Sequence, residues 1–442
     1  DKINLSCILY DRRGYKPTLK KTYKSLSEKV AVESIFLAYQ ATHKKLPSKN
    51  KIRFFVSGLK ALIRQKINYQ LMETKLLWKM IWEIYLSQSL SPNEAYLTKK
   101  TKHYLLDISF NYIHEKVLRS LPDFILEPPK MNNSKIIIFP FPTSIKVIGN
   151  NVKAVHKIHD LIPILYTNYI DNVDKYTKFY RKTLDRITKY DNSYFVCISE
   201  PVREEFLNVY PHIEDKTIVI PNVLPDTFYN EKNLTWLGAI IKTRLSSLHK
   251  NKFIEFNTEK KYILHVGTIE PKKNHINLIK AYEFLKYKYQ NKDFILILVG
   301  NLGWKYEEVL KKIKILINKN QLIHLSNLSP EELRVVYSHA SVVCTPSFVE
   351  GFSFTPAEAA KCGTPSVISD IPAHKWVMKD GAVYCNPYSY KSIAQGLETI
   401  LFKWTTKEKE ELIRKAQDAI ARFSIENIQE KWEDYLLSLT KR

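Results

Sequence analysis

The sequence predicts two α/β domains, each a parallel sheet covered by helices on both faces, preceded by a helix-rich stretch. Three observations carry this. At 442 residues the chain exceeds what one hydrophobic core usually serves. From about residue 135, short β-branched runs alternate with longer amphipathic stretches, the pattern of strands buried on both sides. Most runs end at a Gly, Pro, Ser or Asn, where a parallel strand gives way to its loop. Ligands of such sheets lie beyond those carboxyl ends, so chemistry is expected there.

The expected strands are 136–139, 152–158, 194–199, 217–220, 263–266, 294–299, 322–325, 342–345, 366–369 and 382–384. Between about 225 and 260 the pattern lapses into a polar, charged stretch, where the inter-domain connection is expected. That gives an amino-terminal domain over 1–235 and a carboxy-terminal one over 255–405. Residues 406–442 read as charged helices crossing back to the first domain, with Ile428, Trp432, Tyr435 and Leu436 at helical spacing. The first 130 residues are helix-rich and aromatic, with a helical insertion over about 40–130. Two segments there, 51–66 and 75–86, are amphipathic. A basic helix carrying Trp or Phe can lie in a membrane interface. The other reading is an insertion packed onto the first sheet, with Trp78 and Trp82 in its core.

Apolar residues make up 45% and charged residues 26%, an ordinary globular composition. The five cysteines are scattered and show no C-x-x-C spacing. That opposes a disulfide framework or a structural zinc site and fits a reducing, cytoplasmic setting. No run of about 18 uncharged apolar residues exists, so no membrane-spanning helix is expected. The start shows no signal-peptide pattern, and Asp1 rather than Met stands first, as in a processed form or part of a longer chain. The net charge is +23, and residues 1–70 hold 16 Lys or Arg against 4 Asp or Glu. Such a field attracts phosphorylated ligands, nucleic acid or an anionic membrane leaflet, although lysines that merely solvate a surface explain the charge equally well.

The strongest motif is 345–365, T-P-S-F-V-E-G-F-S-F-T-P-A-E-A-A-K-C-G-T-P. A strand ends, a loop carries Glu350 and Gly351, and a helix opens near Thr355 and stops at Gly363. Gly351 permits close backbone approach to a ligand. The backbone N–H groups around Phe352, Ser353 and Thr355 would point from a helix amino terminus, a ready anion site. Glu350 and Glu358 suit accepting hydrogen bonds from sugar hydroxyls. Thr355-Pro356-Ala357-Glu358 also reads as a capping box, which explains Glu358 alone and leaves Glu350 and Gly351 unexplained.

The second motif is 265–275, H-V-G-T-I-E-P-K-K-N-H. A strand ends at Gly267, and Asn274 can cap a helix whose apolar face is Leu278, Ile279, Tyr282 and Leu285. Lys272 and Lys273 thus precede a helix amino terminus, where cations oppose the helix dipole. A bound diphosphate shared between helix and lysines explains them better than a solvated pair does. The third motif is 152–165, V-K-A-V-H-K-I-H-D-L-I-P-I-L, where His159-Asp160 follow a buried strand. His156 lies on the same strand, and residue type alone barely separates it from His159.

Together these stretches resemble the family 4 retaining glycosyltransferases. Glu350 to Glu358 looks like that family's Glu-x7-Glu signature, V-G-T-I-E-P-K-K-N-H like its donor-phosphate loop, and I-H-D-L-I-P like its amino-domain histidine motif. Residues 197–206 and 219–223 match the family's usual bridge between domains. The resemblance runs from about 135 to 400. It implies a GT-B fold of two Rossmann-like domains facing across a cleft, with a nucleotide-diphosphate sugar held by the second domain. A glycan or lipid-linked glycan acceptor would be held by the first. By that resemblance Lys273 with Lys272 would bind the diphosphate, Glu358 the ribose hydroxyls and Glu350 the hydroxyls of the transferred sugar. The backbone at Gly351, Phe352 and Ser353 would meet sugar and phosphate, and His159 would reach the sugar from the opposing domain. The backbone around Asn327 would meet the base. No cofactor and no metal are implied, because lysines and a helix dipole can neutralise the departing diphosphate. Two departures stand out. Thr268 occupies a position where many relatives carry Arg, so one phosphate contact is either missing or supplied by Lys272. D-R-R-G-Y-K-P-T at 11–18 replaces the glycine-rich loop expected after the first strand.

The implied role is bacterial surface polysaccharide synthesis in the cytoplasm, with an anionic membrane surface as a further partner at its inner face. A nucleotide-dependent oxidoreductase should show G-x-G-x-x-G after a strand, and none appears. A nucleic-acid-binding protein would explain +23, yet zinc-finger spacing and aromatic RNP patterns are missing. A catalytically silent binding module need not keep Glu350, Lys273 and His159 together. A sugar-nucleotide epimerase shares the architecture and is the nearest enzymatic rival.

Overall fold

The structure, a computed structural model, describes residues 135–441 apart from 144, 149–150, 172 and 250–255. Before 135 it describes 6–9, 25–26, 29–30, 33, 69–83, 99, 101–106 and 124–126. The basic segment 51–66 and the 11–18 loop therefore lie outside the described residues. The chain divides into two compact units, one of 1–157, 179–196 and 433–442, the other of 158–178 and 197–432.

In the first unit, β1 (Ser6–Leu9), β2 (Tyr69–Leu71) and β3 (Lys102–Leu106) form a sheet in the order β1-β3-β2, and β4 (Phe124–Leu126) pairs with β6 (Ile145–Val147). The described part of the first 130 residues thus holds strands as well as helix. These strands are three to five residues long, too short to show a period of two against the aromatic background. The helix Thr74–Ile81 buries Leu77 and Ile81 in the core, with Trp82 9% exposed beyond its end and Trp78 beneath the Lys99 ammonium at 4.2 Å. This agrees with the packed-insertion reading of the Trp-bearing helix. A further sheet carries β5 (Ile136–Phe139), β7 (Lys153–Ile158) and β8 (Ser193–Cys197) in that order, with β5 and β7 parallel. His156 is wholly buried on β7 between Phe139, stacked at 4.9 Å, and Phe195 at 5.9 Å. Burial pushes its imidazole down to about 3, so it is a neutral core group and not a site residue.

The second unit carries β9 (Thr217–Val219) and a six-stranded sheet of β10 (Lys261–Val266), β11 (Phe294–Val299), β12 (Leu322–Leu325), β13 (Val342–Thr345), β14 (Ser366–Ser369) and β15 (Val383–Cys385). All its pairings are parallel, in the order β12-β11-β10-β13-β14-β15. This is the Rossmann order, and its switch point falls between β10 and β13. The strands β11 to β14 are buried at every position because both faces are covered. On one face lie Leu278, Ile279, Tyr282 and Leu285 of the helix His275–Lys288, the apolar stripe expected there. On the other lie Leu237, Ile240 and Ile241 with Tyr337 and Ala359. The 225–260 stretch is therefore not merely a polar connection. Its helix Thr235–Thr243 closes the core of the second sheet.

Candidate active site

Two loops meet at the switch point. One follows β10 and carries Gly267 to Asn274; the other follows β13 and carries Pro346 to Ser353. They are tied together by the Phe348 N–H donating to the Lys272 carbonyl at 2.9 Å. The Asn274 amide donates to the Pro346 carbonyl at 2.8 Å. Asn274 occupies the expected cap position of its helix but in a left-handed conformation, φ 59°, and its side chain makes no cap hydrogen bond. It joins loops instead.

This join brings Lys273 and Glu350 together. Lys273 Nζ donates to Glu350 Oε1 at 2.6 Å, and Lys272 Nζ stands 3.7 Å from Oε2. The Glu350 side chain is only 8% exposed. Burial alone would raise its carboxyl, but the two ammonium groups outweigh burial and hold it down to about 2. Lys272 also stands 3.6 Å from Glu270, whose carboxyl is raised by burial against the pull of both lysines. For Lys272, burial lowers its proton affinity, and Glu350, Glu270 and Asp160 together more than reverse that. Lys272 is therefore held as a cation at the carboxyl edge of the sheet, and both lysines are engaged by protein carboxylates there.

Glu358 has another environment. It accepts from the Tyr337 hydroxyl at 2.9 Å, and burial pushes its carboxyl up to about 7 against that hydrogen bond. The capping box at Thr355 and Glu358 does not form. The helix is Phe354–Lys361 with Ser353 at its cap, Thr355 Oγ1 donates to the Val266 carbonyl at 3.3 Å, and Glu358 is engaged by Tyr337. Ser353 makes no side-chain cap bond, and its buried hydroxyl has no protein partner. Phe352 offers the site only its backbone, since its ring packs on Phe354, Trp376 and Phe423.

Gly351 proves necessary for a protein contact. A Cβ there would lie 2.0 Å from the His159 carbonyl oxygen, and the Gly351 carbonyl accepts from Ser199 Oγ at 2.7 Å. His159 is exposed beyond the end of β7, and its backbone is seated against the Glu350 loop. Thr268 is exposed in the β10 loop, where Gly300 lets the next loop close in: a Cβ at Gly300 would lie 2.1 Å from the Gly267 carbonyl oxygen. Asn327, left-handed with φ 58°, follows β12 at the same sheet edge, two strand positions from β10.

Two groups were missed by sequence reasoning. His374, after β14, is wholly buried, with Nδ1 3.0 Å from the Ser369 carbonyl oxygen. Burial lowers it to about 4 although Glu350 pulls the other way, so a neutral imidazole stands beside that carboxylate. Its place just beyond a strand's carboxyl end was the available signal. The second is Asp160, the neighbour of His159, whose carboxyl is raised by burial, with Lys272 opposing.

Comparison with known proteins bears on this geometry. The family model for glycosyl transferases group 1 matches residues 247–419. The chain is similar to an O-antigen chain mannosyltransferase of Salmonella typhimurium, 25% identical over 348 residues, which cover 78% of this chain and 83% of that one. It is 30% identical over 133 residues to O-antigen chain mannosyltransferase B of Escherichia coli, 30% of this chain and 35% of that one. Among solved structures, a sucrose-phosphate synthase from Thermosynechococcus elongatus aligns with a TM-score of 0.55 at 16% identity, over 77% of this chain and 84% of that one. A UDP-forming trehalose-phosphate synthase from Burkholderia xenovorans aligns at 0.51 and 10% identity, over 78% and 88%. The fold is the GT-B fold with Rossmann-like domains.

Proposed function

We propose that this glycosyltransferase moves a hexose from a nucleotide-diphosphate donor to a glycan or lipid-linked glycan acceptor and retains the configuration of the anomeric carbon. In this reading it belongs with the family 4 enzymes and works in bacterial surface polysaccharide synthesis, on the inner face of the cytoplasmic membrane. The O-antigen mannosyltransferases among its relatives favour mannose as the first sugar to test.

The observation that carries the reading is the buried cluster of Lys273, Lys272 and Glu350 at the switch point of a Rossmann sheet. Two lysines beside one ionised carboxylate suit a site that exchanges protein carboxylate for diphosphate. When the diphosphate takes the ammonium groups, Glu350 is released to accept hydrogen bonds from the hexose hydroxyls. Glu358, holding its proton near neutral pH, can exchange the Tyr337 hydroxyl for ribose hydroxyls. As the bond from the anomeric carbon to the phosphate oxygen breaks, charge grows on the diphosphate. Lys272 and Lys273 stabilise it there and take the part a metal ion would otherwise play. The acceptor hydroxyl then adds on the same face and passes its proton to the departing phosphate oxygen.

The decisive experiment is NMR of the product's anomeric proton, run with and without EDTA. Retention in EDTA is expected. An inverted product, or activity lost to EDTA and restored by a divalent cation, would overturn the mechanism.

A further inference from the structure

Beside the charged cluster lies a set of aromatic rings that the transfer chemistry does not use. Tyr169 stacks on Phe348 with ring centroids 5.3 Å apart and planes within 10°. Phe348 meets Tyr388 at 5.1 Å and 35°. Tyr388 is 72% exposed, and its hydroxyl lies close enough to that of Tyr169 to raise the latter's pKa after burial has done so. A large ring left in water is ordinary on its own. The backbone that carries this one is tied down at Pro387 and Tyr388. Asn274 and Asn277 both donate to the Pro387 carbonyl, at 2.7 and 3.0 Å, and Asn386 Oδ1 accepts from the Tyr388 N–H at 2.9 Å. On the other side, Trp304 Nε1 donates to the Tyr169 carbonyl at 3.0 Å and Lys305 Nζ to the Ile170 carbonyl at 3.1 Å.

The rings are also wired to the charged cluster. Phe348 stands two residues before Glu350, its N–H is bonded to the Lys272 carbonyl, and Asn274 spans the loops that carry Phe348 and Tyr388. Polar groups rim the rings. The Tyr166 hydroxyl donates to Glu205 at 2.8 Å, and both Glu205 and the exposed Tyr176 feel the charge of Asp160. The exposed ring of Tyr388, backed by Phe348 and Tyr169 and bordered by hydroxyls and carboxylates, suits a pyranose, which presents C–H bonds on its faces and hydroxyls at its edge. Holding such rings rigid removes the ordering cost of binding.

We propose that Tyr169, Phe348 and Tyr388 form a subsite for a pyranose unit of the acceptor glycan, next to the transferring centre. The proposal rests on the glycosyltransferase reading but locates the acceptor, which that reading leaves to the rest of the chain. It is tested by saturation-transfer NMR on the full chain with α-linked mannotriose as the probe. In parallel, UDP and GDP binding are followed by thermal shift. Wild type should transfer saturation to pyranose ring protons. Tyr388→Ala should weaken mannotriose binding at least tenfold, and Tyr388→Trp should keep it within about twofold. Nucleotide shifts and melting temperature should be unchanged in both. No saturation transfer to wild type, or equal transfer to Tyr388→Ala, overturns the subsite. Loss of nucleotide binding in wild type would instead sink the donor reading, while mannotriose binding alone would still uphold the ring platform.

Discussion

Removing the Lys273 ammonium would leave Glu350 buried with Lys272 as its nearest counter-ion, 3.7 Å away. Lys273→Ala should therefore do two things. It should weaken nucleotide-diphosphate binding by about 1.5–3 kcal/mol, the worth of a charge-assisted hydrogen bond. It should also lower stability by about 3 kcal/mol, because a buried carboxylate loses its closest partner. Titration calorimetry and urea unfolding separate the effects. Lys273→Met combined with Glu350→Gln should regain the stability but not the affinity, and recovery of both would remove Lys273 from the donor site. Glu358 has a pH signature of its own. Unfolded, it ionises near 4.5; folded, near 7. Its proton is held more tightly in the native state, so its stabilising contribution is complete below 4.5 and is lost as pH rises through 7. Glu350 runs the other way: its contribution is present above 4.5 and is lost as pH falls toward 2. Glu358→Gln should match wild type near pH 4 and exceed it by about 2–3 kcal/mol at pH 8. A gap that stays constant in urea titrations at the two pH values would show that Glu358 ionises normally.

The motif T-P-A-E at 355–358 has the same form as S-P-E-E at 329–332 and T-T-K-E at 405–408, yet only the latter two cap their helices. Ser329 and Glu332, and Thr405 and Glu408, close complete capping boxes. At 355 tertiary partners win, since the Val266 carbonyl takes the threonine and the Tyr337 hydroxyl takes the glutamate. Thr405→Ala should cost about 1 kcal/mol and leave nucleotide affinity untouched. Gly351→Ala should do more. Its Cβ would fall 2.0 Å from the His159 carbonyl, so a backbone must move. A loss of about 2–3 kcal/mol together with loss of transfer is expected. Normal activity at normal stability would mean that the seat between His159 and the Glu350 loop is dispensable. Strands were legible for the same kind of reason that the cap was not. The runs at 294–299, 322–325, 342–345 and 366–369 are apolar on both faces whatever surrounds them, and the observed strands coincide with them. The pairing of Lys273 with Glu350 was implied only through two separate motifs, because the switch point that unites them depends on strand order. The role of Asn274 as a tie between loops arises from a contact 72 residues along the chain and has no local signature, and for His374 only its place after a strand was legible, not its burial.

Charge is the property that belongs to the chain as a whole. Of the net +23, residues 1–70 supply 16 Lys or Arg against 4 Asp or Glu, over half of the excess. The proposed donor site uses two of the cations, Lys272 and Lys273, and neither lies in that region. Among the described residues no helix is long and apolar enough to cross a membrane. A lipid-linked acceptor would nonetheless place the transferring centre at a bilayer surface, and an amino-terminal cationic field would hold it there. Each Lys or Arg near an anionic leaflet contributes about 1 kcal/mol, screened within a Debye length of about 8 Å at physiological salt. The segment 51–66 couples Lys51, Arg53, Lys60, Arg64 and Lys66 to Phe54, Phe55 and Leu62, so charge and apolar insertion should act together there. The full chain should cosediment with phosphatidylserine-containing vesicles at low salt, release substantially at high salt, and ignore neutral vesicles. Replacing those five cations by Gln should abolish cosedimentation while nucleotide binding persists, because the donor site draws its charge from the second unit. Equal and negligible binding to both vesicle types would leave the basic face as solvated surface, or as a groove for a soluble anionic glycan, and would move the acceptor off the membrane.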